Sequence, residues 1–361
     1  MKVAIIHDWL TGMRGGEKCL EVFCELFPEA TVFTLIHKKG SVSETIEGMS
    51  IKTSFIQHLP RAQEKYREYL PLFPRAIESF NLKGFDLILS SSHCAAKGAK
   101  VPENALHICY CYTPMRYAWL FFDEYFGSCG FIKKNLISWV LKGLRKWDLK
   151  TNETVDFFVA ISDNIKNRIV KIYGREAEVI YPPVELDRFK VSRRDDGYYL
   201  VVSALVPYKR VDIAVDAFNR LEKKLLVIGT GNVEKQLKAG AGKNVEFLGW
   251  ASDAALADYY SNCTALIFPG EEDFGIVPVE AQACGKPVIA YAAGGVLETV
   301  IPQTGVFFKE QTLESLIDAI GRFEKIRGSF DSNAIRNNAL RFDRQIFKDK
   351  INAFIQEKLN A

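Results

Sequence analysis

Two glutamates, Glu272 and Glu280, are separated by seven residues in the segment PGEEDFGIVPVEAQACGKPVIAY, 269–291. The apolar ALIF before it reads as a buried strand that ends at Pro269 and Gly270. A short helix follows, with Pro278 in its first turn, where a missing N–H costs little. Gly285 suits its C-terminal cap and Pro287 opens the next strand. The amides around Phe274 to Val277 have no partner inside such a helix, which makes its start ready for a phosphate. Two carboxylates flanking that start would repel a dianion, but they make sense as acceptors of hydroxyl hydrogen bonds from a sugar and a ribose. The other reading stays open: Glu272 favours the helix dipole and Glu280 is solvated.

A second phosphate-ready turn lies in HDWLTGMRGGEKCLE, 7–21, directly after the apolar VAII. Free amides at Gly15, Gly16 and Glu17, at the positive end of the following helix, would suit a phosphate oxygen. Lys18 has no Ser or Thr after it, so this is not a P-loop. A plain tight turn would look the same.

These loops need a scaffold, and the apolar pattern supplies one. Short apolar runs alternate with helix-length segments: VAII (3–6), ATVFTL (30–35), FDLILSSS (85–92), ALHICYCY (105–112) and VDFFVAIS (155–162). Such alternation implies a parallel sheet covered on both faces. Tandem prolines in VIYPPVELDRF, 179–189, end a strand and read as a domain connector. The alternation then restarts with YYLVVSAL (198–205), KLLVIG (224–229), NVEFLGW (244–250), TALIFPG (264–270), KPVIAY (286–291) and GVFF (305–308). The expectation is an α/β chain of two facing Rossmann-like, doubly wound domains, 1–183 and 184–341, with a final helix at 342–361 that joins the first. Ligands of such sheets bind beyond the carboxyl ends of the strands, so two facing sheets predict an interdomain cleft.

Composition excludes several classes. The chain of 361 residues is 48% hydrophobic and 25% charged, with a formal net charge of +3, too small for a dedicated nucleic-acid binder. No apolar run reaches membrane-spanning length, and four apolar residues before His7 and Asp8 are too few for a signal-peptide core, which points to the cytoplasm. The eight cysteines form no disulfide framework, and Cys109 and Cys111 read as buried thiols rather than a metal site. One stretch is strongly basic: IKKNLISWVLKGLRKWDLK, 132–150, holds six basic residues and one acidic. Its apolar and basic residues interleave at helical spacing, as in a helix at an anionic membrane surface or one with a solvated basic face.

Taken together, EEDFGIVPVEAQACGKPVIA, SSSHCAAKG, CYTPMRYAW, VIYPPV, LVPYKRVD, VIGTGN, FLGW and AGGVLETV resemble the motifs of glycosyltransferase family 4, with its GT-B fold, over essentially the whole chain. Within it the chain is most similar to GDP-mannose-dependent α-mannosyltransferases of bacterial O-antigen and exopolysaccharide assembly. The resemblance implies that Glu280 binds the nucleotide ribose and Glu272 the transferred sugar. It further implies that Phe274, Gly275, Ile276 and Val277 hold the diphosphate, and that Lys209, with Arg210 beside it, neutralises that leaving group. Gly229 and Gly231 would form a donor-side loop, Gly249 would pass near the base, and Gly15 and Gly16 would meet the phosphate from the opposite domain. It implies retention of configuration, a nucleotide-sugar donor, a glycan or lipid-linked glycan acceptor, and neither cofactor nor metal.

The chain departs from the family pattern at two positions. Ala204 stands where an arginine is usual, and Tyr112 where many relatives have histidine. That leaves His93 as the imidazole for the reaction centre, unless it is a turn residue. Asp8, Trp9, Tyr112 and Arg116 are the acceptor-side positions, Arg116 alternatively stacking among Tyr117 and Trp119. The competing classes are the same fold with a UDP-sugar or GDP-rhamnose, and a weakly active sugar-nucleotide-binding partner subunit. A Rossmann oxidoreductase fails, because the first strand lacks GxGxxG.

Overall fold

The computed structural model describes residues 1–119 and 131–360; the side chains of residues 117, 131–134 and 136 lie outside that description. The chain divides into two compact units, Met1–Pro183 together with the return from Phe347 onward, and Val184–Ile346.

The first unit is built on seven parallel strands: β1 (Val3–His7), β2 (Thr31–Thr34), β3 (Ser50–Thr53), β4 (Leu87–Ser92), β5 (Leu106–Cys111), β6 (Phe157–Ala160) and β7 (Ala177–Val179). Their order across the sheet is β3-β2-β1-β4-β5-β6-β7, so the winding reverses between β1 and β4. The central strands are buried on both faces, as continuous apolar runs require. Edge strand β3, SIKT, alternates exposed and half-buried residues and has no apolar run to betray it. The final helix, Arg344–Leu359, buries Phe347, Ile351 and Ile355. Phe347 packs against Phe23 and Tyr110, and Lys348 pairs with Glu25 at 2.9 Å.

The second unit has six parallel strands: β8 (Tyr198–Val202), β9 (Lys224–Ile228), β10 (Val245–Gly249), β11 (Ala265–Phe268), β12 (Val288–Tyr291) and β13 (Gly305–Phe308). The order β10-β9-β8-β11-β12-β13 is that of a doubly wound sheet, reversing between β8 and β11. Each unit is thus Rossmann-like, and the pair gives the α/β, GT-B class. In each sheet the switch point fixes where loops from two neighbouring strands diverge and leave room for a ligand.

Candidate active site

At the switch point of the second sheet, three loops are fitted together backbone to backbone. A Cβ at Gly229 would overlap the carbonyl oxygen of Ser203, and one at Gly231 that of Leu205. Hydrogen bonds Ser203 N→Ile228 O (3.0 Å), Leu205 N→Thr230 O (2.9 Å) and Gly229 N→Gly249 O (2.7 Å) lock the loops after β8, β9 and β10. Glycine at 229 and 231 is therefore required by close approach of main chains. Gly270, at the end of β11, admits the Lys209 backbone in the same way; its Cβ would lie 3.0 Å from the Lys209 Cα.

That approach brings Lys209 to the loop after β11, where its Nζ forms a close ion pair with Glu272 Oε1. Glu272 is itself held by its main chain: its carbonyl accepts from Gly295 N at 2.8 Å, and it bridges to Gly294. Gly275, at φ +94°, caps the helix Ile276–Ala283, a backbone turn suited to glycine. Phe274 is buried beneath it, edge-on to Phe342. The Lys209–Glu272 pair thus stands at the loop between β11 and the start of the Ile276–Ala283 helix. Arg210, the other cation of the VPYKR loop, is spent differently: its guanidinium is bound to Asp212 (3.1 Å) and Gln311 (3.4 Å).

Glu280 lies in the same helix and is buried. Its Oε1 accepts from Arg188 at 2.6 Å and its Oε2 from the Tyr260 hydroxyl at 3.0 Å. Burial pushes its carboxyl above the usual range, with Arg188 and Tyr260 opposing that push. Gly249 ends β10 with φ +71°, and Trp250 after it is 78% exposed. Arg188, Tyr260, Gly294 and Gly295 carry this geometry without an individual role in the sequence reading, where Gly270 stood only as the end of a strand. Only the glycines had a signal there, as small residues just after apolar runs.

The first unit has its own cluster at the switch point between β1 and β4. Asp8 is fully buried and its carboxylate is saturated by the loop after β4. Oδ2 accepts from the amides of His93 (2.8 Å) and Cys94 (2.9 Å), and Oδ1 from those of Ala95 (2.6 Å) and Ala96 (2.8 Å). His93 Nδ1 lies 3.0 Å from Asp8 Oδ2, with 29% of its side chain exposed. Burial disfavours the Asp8 charge, but His93 and the amides outweigh it and hold the carboxyl at about 2. Trp9 is buried in the core and meets the His93 ring edge-on at 4.4 Å. Asp8 and Trp9, read from the sequence as acceptor-side, are both interior, and what their geometry does is hold the imidazole.

Tyr112 anchors the glycine turn. Its hydroxyl donates to the Gly16 carbonyl at 2.9 Å and contacts Ser91 Oγ at 2.8 Å, which in turn meets His7 Nδ1 at 2.9 Å. Gly15 opens the helix Gly15–Leu26, and a Cβ at Gly16 would touch His7 and Tyr112. Beside them, buried Glu17 accepts from Arg14 N at 3.0 Å and faces His7 Nε2 at 3.7 Å. Burial pushes its carboxyl up, but His7, with a backbone hydrogen bond and His93 adding to it, brings it below the usual range. Arg116 opens the short helix Arg116–Trp119 and is half-buried. Tyr117's side chain lies outside the described residues; the Trp119 ring carries Arg145 at 5.6 Å and donates to Asp148 at 2.7 Å.

Residues 184–341 match the family model described as glycosyl transferases group 1. The match falls on the second unit. Among curated relatives, an uncharacterized glycosyltransferase of Methanocaldococcus jannaschii is 36% identical over 147 residues, 39% of each chain. A GDP-mannose-dependent monoacylated alpha-(1-6)-phosphatidylinositol monomannoside mannosyltransferase of Corynebacterium glutamicum is 27% identical over 217 residues, 51% of this chain and 57% of that one. These matches span less than two thirds of the relatives' length. Over both units the fold is similar to that of Anabaena HepE in complex with UDP, with a TM-score of 0.74 at 16% identity, covering 99% of this chain and 100% of that one. The Lys209–Glu272 pair, Gly275 and Glu280 all lie inside the residues that match this family model.

Proposed function

We propose that the chain is a retaining, metal-independent glycosyltransferase that moves mannose from GDP-mannose to a glycan or lipid-linked glycan in bacterial surface-polysaccharide assembly. The observation that carries the transferase reading is the Lys209–Glu272 pair beside the Gly275 helix start, in a segment that matches the group 1 family. Mannose and guanosine draw their support from the Corynebacterium relative and from the motif resemblance.

In this reading the sugar–diphosphate bond breaks with oxocarbenium character on carbon and negative charge on the diphosphate. Lys209 and the amides of Gly275 to Val277 face that developing charge, the main catalytic lever for such a reaction. Glu272 accepts from the sugar hydroxyls and Glu280 from the ribose. No carboxylate is assigned beneath the anomeric carbon, so the acceptor hydroxyl attacks on the face the diphosphate leaves, and its proton goes to the departing phosphate oxygen. His93, oriented by Asp8, lies on the acceptor side with Arg116 and Tyr112.

The test is a thermal-shift panel of GDP, UDP, ADP, TDP and their common sugars, each without metal. A ligand that binds only the folded state raises the melting temperature with its occupancy. GDP and GDP-mannose are expected to stabilise selectively. A UDP-selective shift would keep the mechanism and replace the sugar nucleotide. Silence throughout would leave a sugar-nucleotide-type fold acting as a partner subunit.

We place the enzyme at the cytoplasmic face of a membrane, held there by the helix Phe131–Lys150. Among the described residues no helix is long and apolar enough to cross a membrane. Leu141, Leu144 and Asp148 bury one side of this helix, and the Trp147 indole donates to Glu78 at 2.6 Å. Trp139, 73% exposed, shares the outer side with Lys142, Lys146 and Leu149, all exposed. A groove of about 600 Å³ runs along it, lined in part by Pro71, Pro74 and Trp139. An aromatic residue among lysines suits an anionic lipid interface. Arg145 donates to the Ala118 carbonyl and is structural, so the reversal to make is K142E with K146E. That pair is expected to abolish sedimentation with vesicles containing phosphatidylglycerol while leaving the melting temperature in place. Retained sedimentation would make the helix an ordinary packed element; the contributions of Lys133 and Lys134 lie outside the described side chains.

A further inference from the structure

We propose that Arg188 positions the nucleoside half of the donor site, fixing the Glu280 carboxylate on one side and the loop after β10 on the other. This rests on the reading that Glu280 accepts hydrogen bonds from the ribose. Arg188 comes from VELDRF, just past the tandem prolines, a stretch whose sequence suggested only a connector.

Its guanidinium bridges two carboxylates. Nη2 donates to Glu280 Oε1 at 2.6 Å, and Nη1 lies 2.5 Å from Asp253 Oδ2. Asp253 is the first residue of the helix Asp253–Asn262, three residues after Trp250. One planar fork thus ties the ribose acceptor to the strand-end loop assigned to the base, a two-point geometry that a lysine cannot reproduce. The guanidinium also lies over the Phe189 ring at 4.7 Å, and Phe189 packs edge-on against Tyr260. Tyr260, fully buried, closes the other side of Glu280.

The valence of the carboxylate gives the arrangement a purpose. Two oxygens offer about four acceptor positions. Arg188 uses one on Oε1 and Tyr260 one on Oε2, leaving one on each oxygen. Two adjacent acceptors with a fixed spacing match the two hydroxyls of a ribose, and only while the group is ionised. The groups facing Glu280 are Arg188 from the connector, Tyr260 and Asp253 from the neighbouring helix, and Cys284 at the end of its own. Of these Arg188 alone is cationic. Without it, burial and the Asp253 charge would together favour the protonated acid, which loses an acceptor position.

The experiment is calorimetric titration of GDP into wild type, R188K, R188Q, E280Q and the R188Q/E280Q double variant, at about pH 8 and about pH 6. R188K keeps a cation beside Glu280 and guards against a simple failure to fold. It is expected to weaken GDP by about tenfold, because one ammonium cannot serve both carboxylates. R188Q is expected to weaken GDP further, and more at the lower pH, which favours the protonated acid. E280Q should be weak but flat with pH, and the double variant no weaker than E280Q. If R188K and R188Q bind GDP as wild type does at both pH values, or if the R188Q and E280Q losses add in the double variant, the inference is overturned while the donor site stands. If wild type binds neither GDP nor UDP nor ADP, the reading of Glu280 falls and this inference falls with it.

Discussion

Replacing Lys209 with alanine is expected to lower turnover at saturating donor by about 10²–10³-fold, the usual loss when one group aimed at developing charge is removed. Nucleotide affinity should fall by less, roughly tenfold or under, because the first-turn amides of the Ile276–Ala283 helix continue to hold the diphosphate. The split between rate and affinity is the informative part. A lysine that only bound the ground state would lose both together, whereas one that meets charge as the bond breaks loses rate. Stability should change little, since the Glu272 side chain left behind is 27% exposed and can be solvated. Arg210→Ala is the contrast: its guanidinium already serves Asp212 and Gln311, so its removal should cost less than about tenfold in rate. Initial rates and nucleotide titrations on the two variants decide the matter. Unchanged turnover in Lys209→Ala would remove this lysine from the mechanism, and a large loss in Arg210→Ala would make that residue the cation that answers for Ala204.

What the sequence made legible is what repeats locally. Each of the six strands of the second unit sits within a run visible by eye; the central strands β8, β11 and β12 are almost wholly buried and carry no polar interruption, while edge strand β10 has the exposed Glu246 within it. In the first unit β3 escaped, since a polar edge strand of four residues leaves no such run. The helix at 276–283 could be read from its proline and glycine punctuation, and the glycine loops from composition. The reasons for those glycines could not: the demand at Gly231 comes from the Leu205 carbonyl, 26 positions away along the chain. The charges behave likewise. Arg188 meets Glu280 across 92 positions, and Tyr112 holds Gly16 across 96. Tyr112 entered the sequence reading as a missing histidine, and in the folded unit it is the residue that pins the glycine turn. Partners fixed by topology rather than by spacing leave no pattern in a single chain.

The second large effect concerns Asp8, where four amides and an imidazole depend on one carboxylate. Asp8→Asn is expected to destabilise the first unit by about 3 kcal/mol. An amide keeps only one oxygen, so its NH₂ would point at either the His93 and Cys94 amides or those of Ala95 and Ala96, donor against donor. Turnover should fall as well, because the His93 ring loses its 3.0 Å partner at Nδ1. His93→Ala should lower the rate and cost less stability than Asp8→Asn, because the four backbone amides stay bonded to Asp8 while the imidazole's support of the buried charge is lost. The pH dependence follows from the sign of the shift. The carboxyl is lowered from 3.8 to about 2, so its contribution is fully present above about pH 4 and is lost as pH falls through about 2. That contribution is about 2 kcal/mol. Urea unfolding of wild type and Asp8→Asn at a series of acid pH values should therefore give two stability curves that are well separated near neutrality and draw about 2 kcal/mol closer as pH falls from about 4 through about 2. Curves that coincide at neutral pH would show that the loop after β4 holds its shape without this carboxylate, and His93 would then owe its position to its ring contacts with Trp9 and Tyr112.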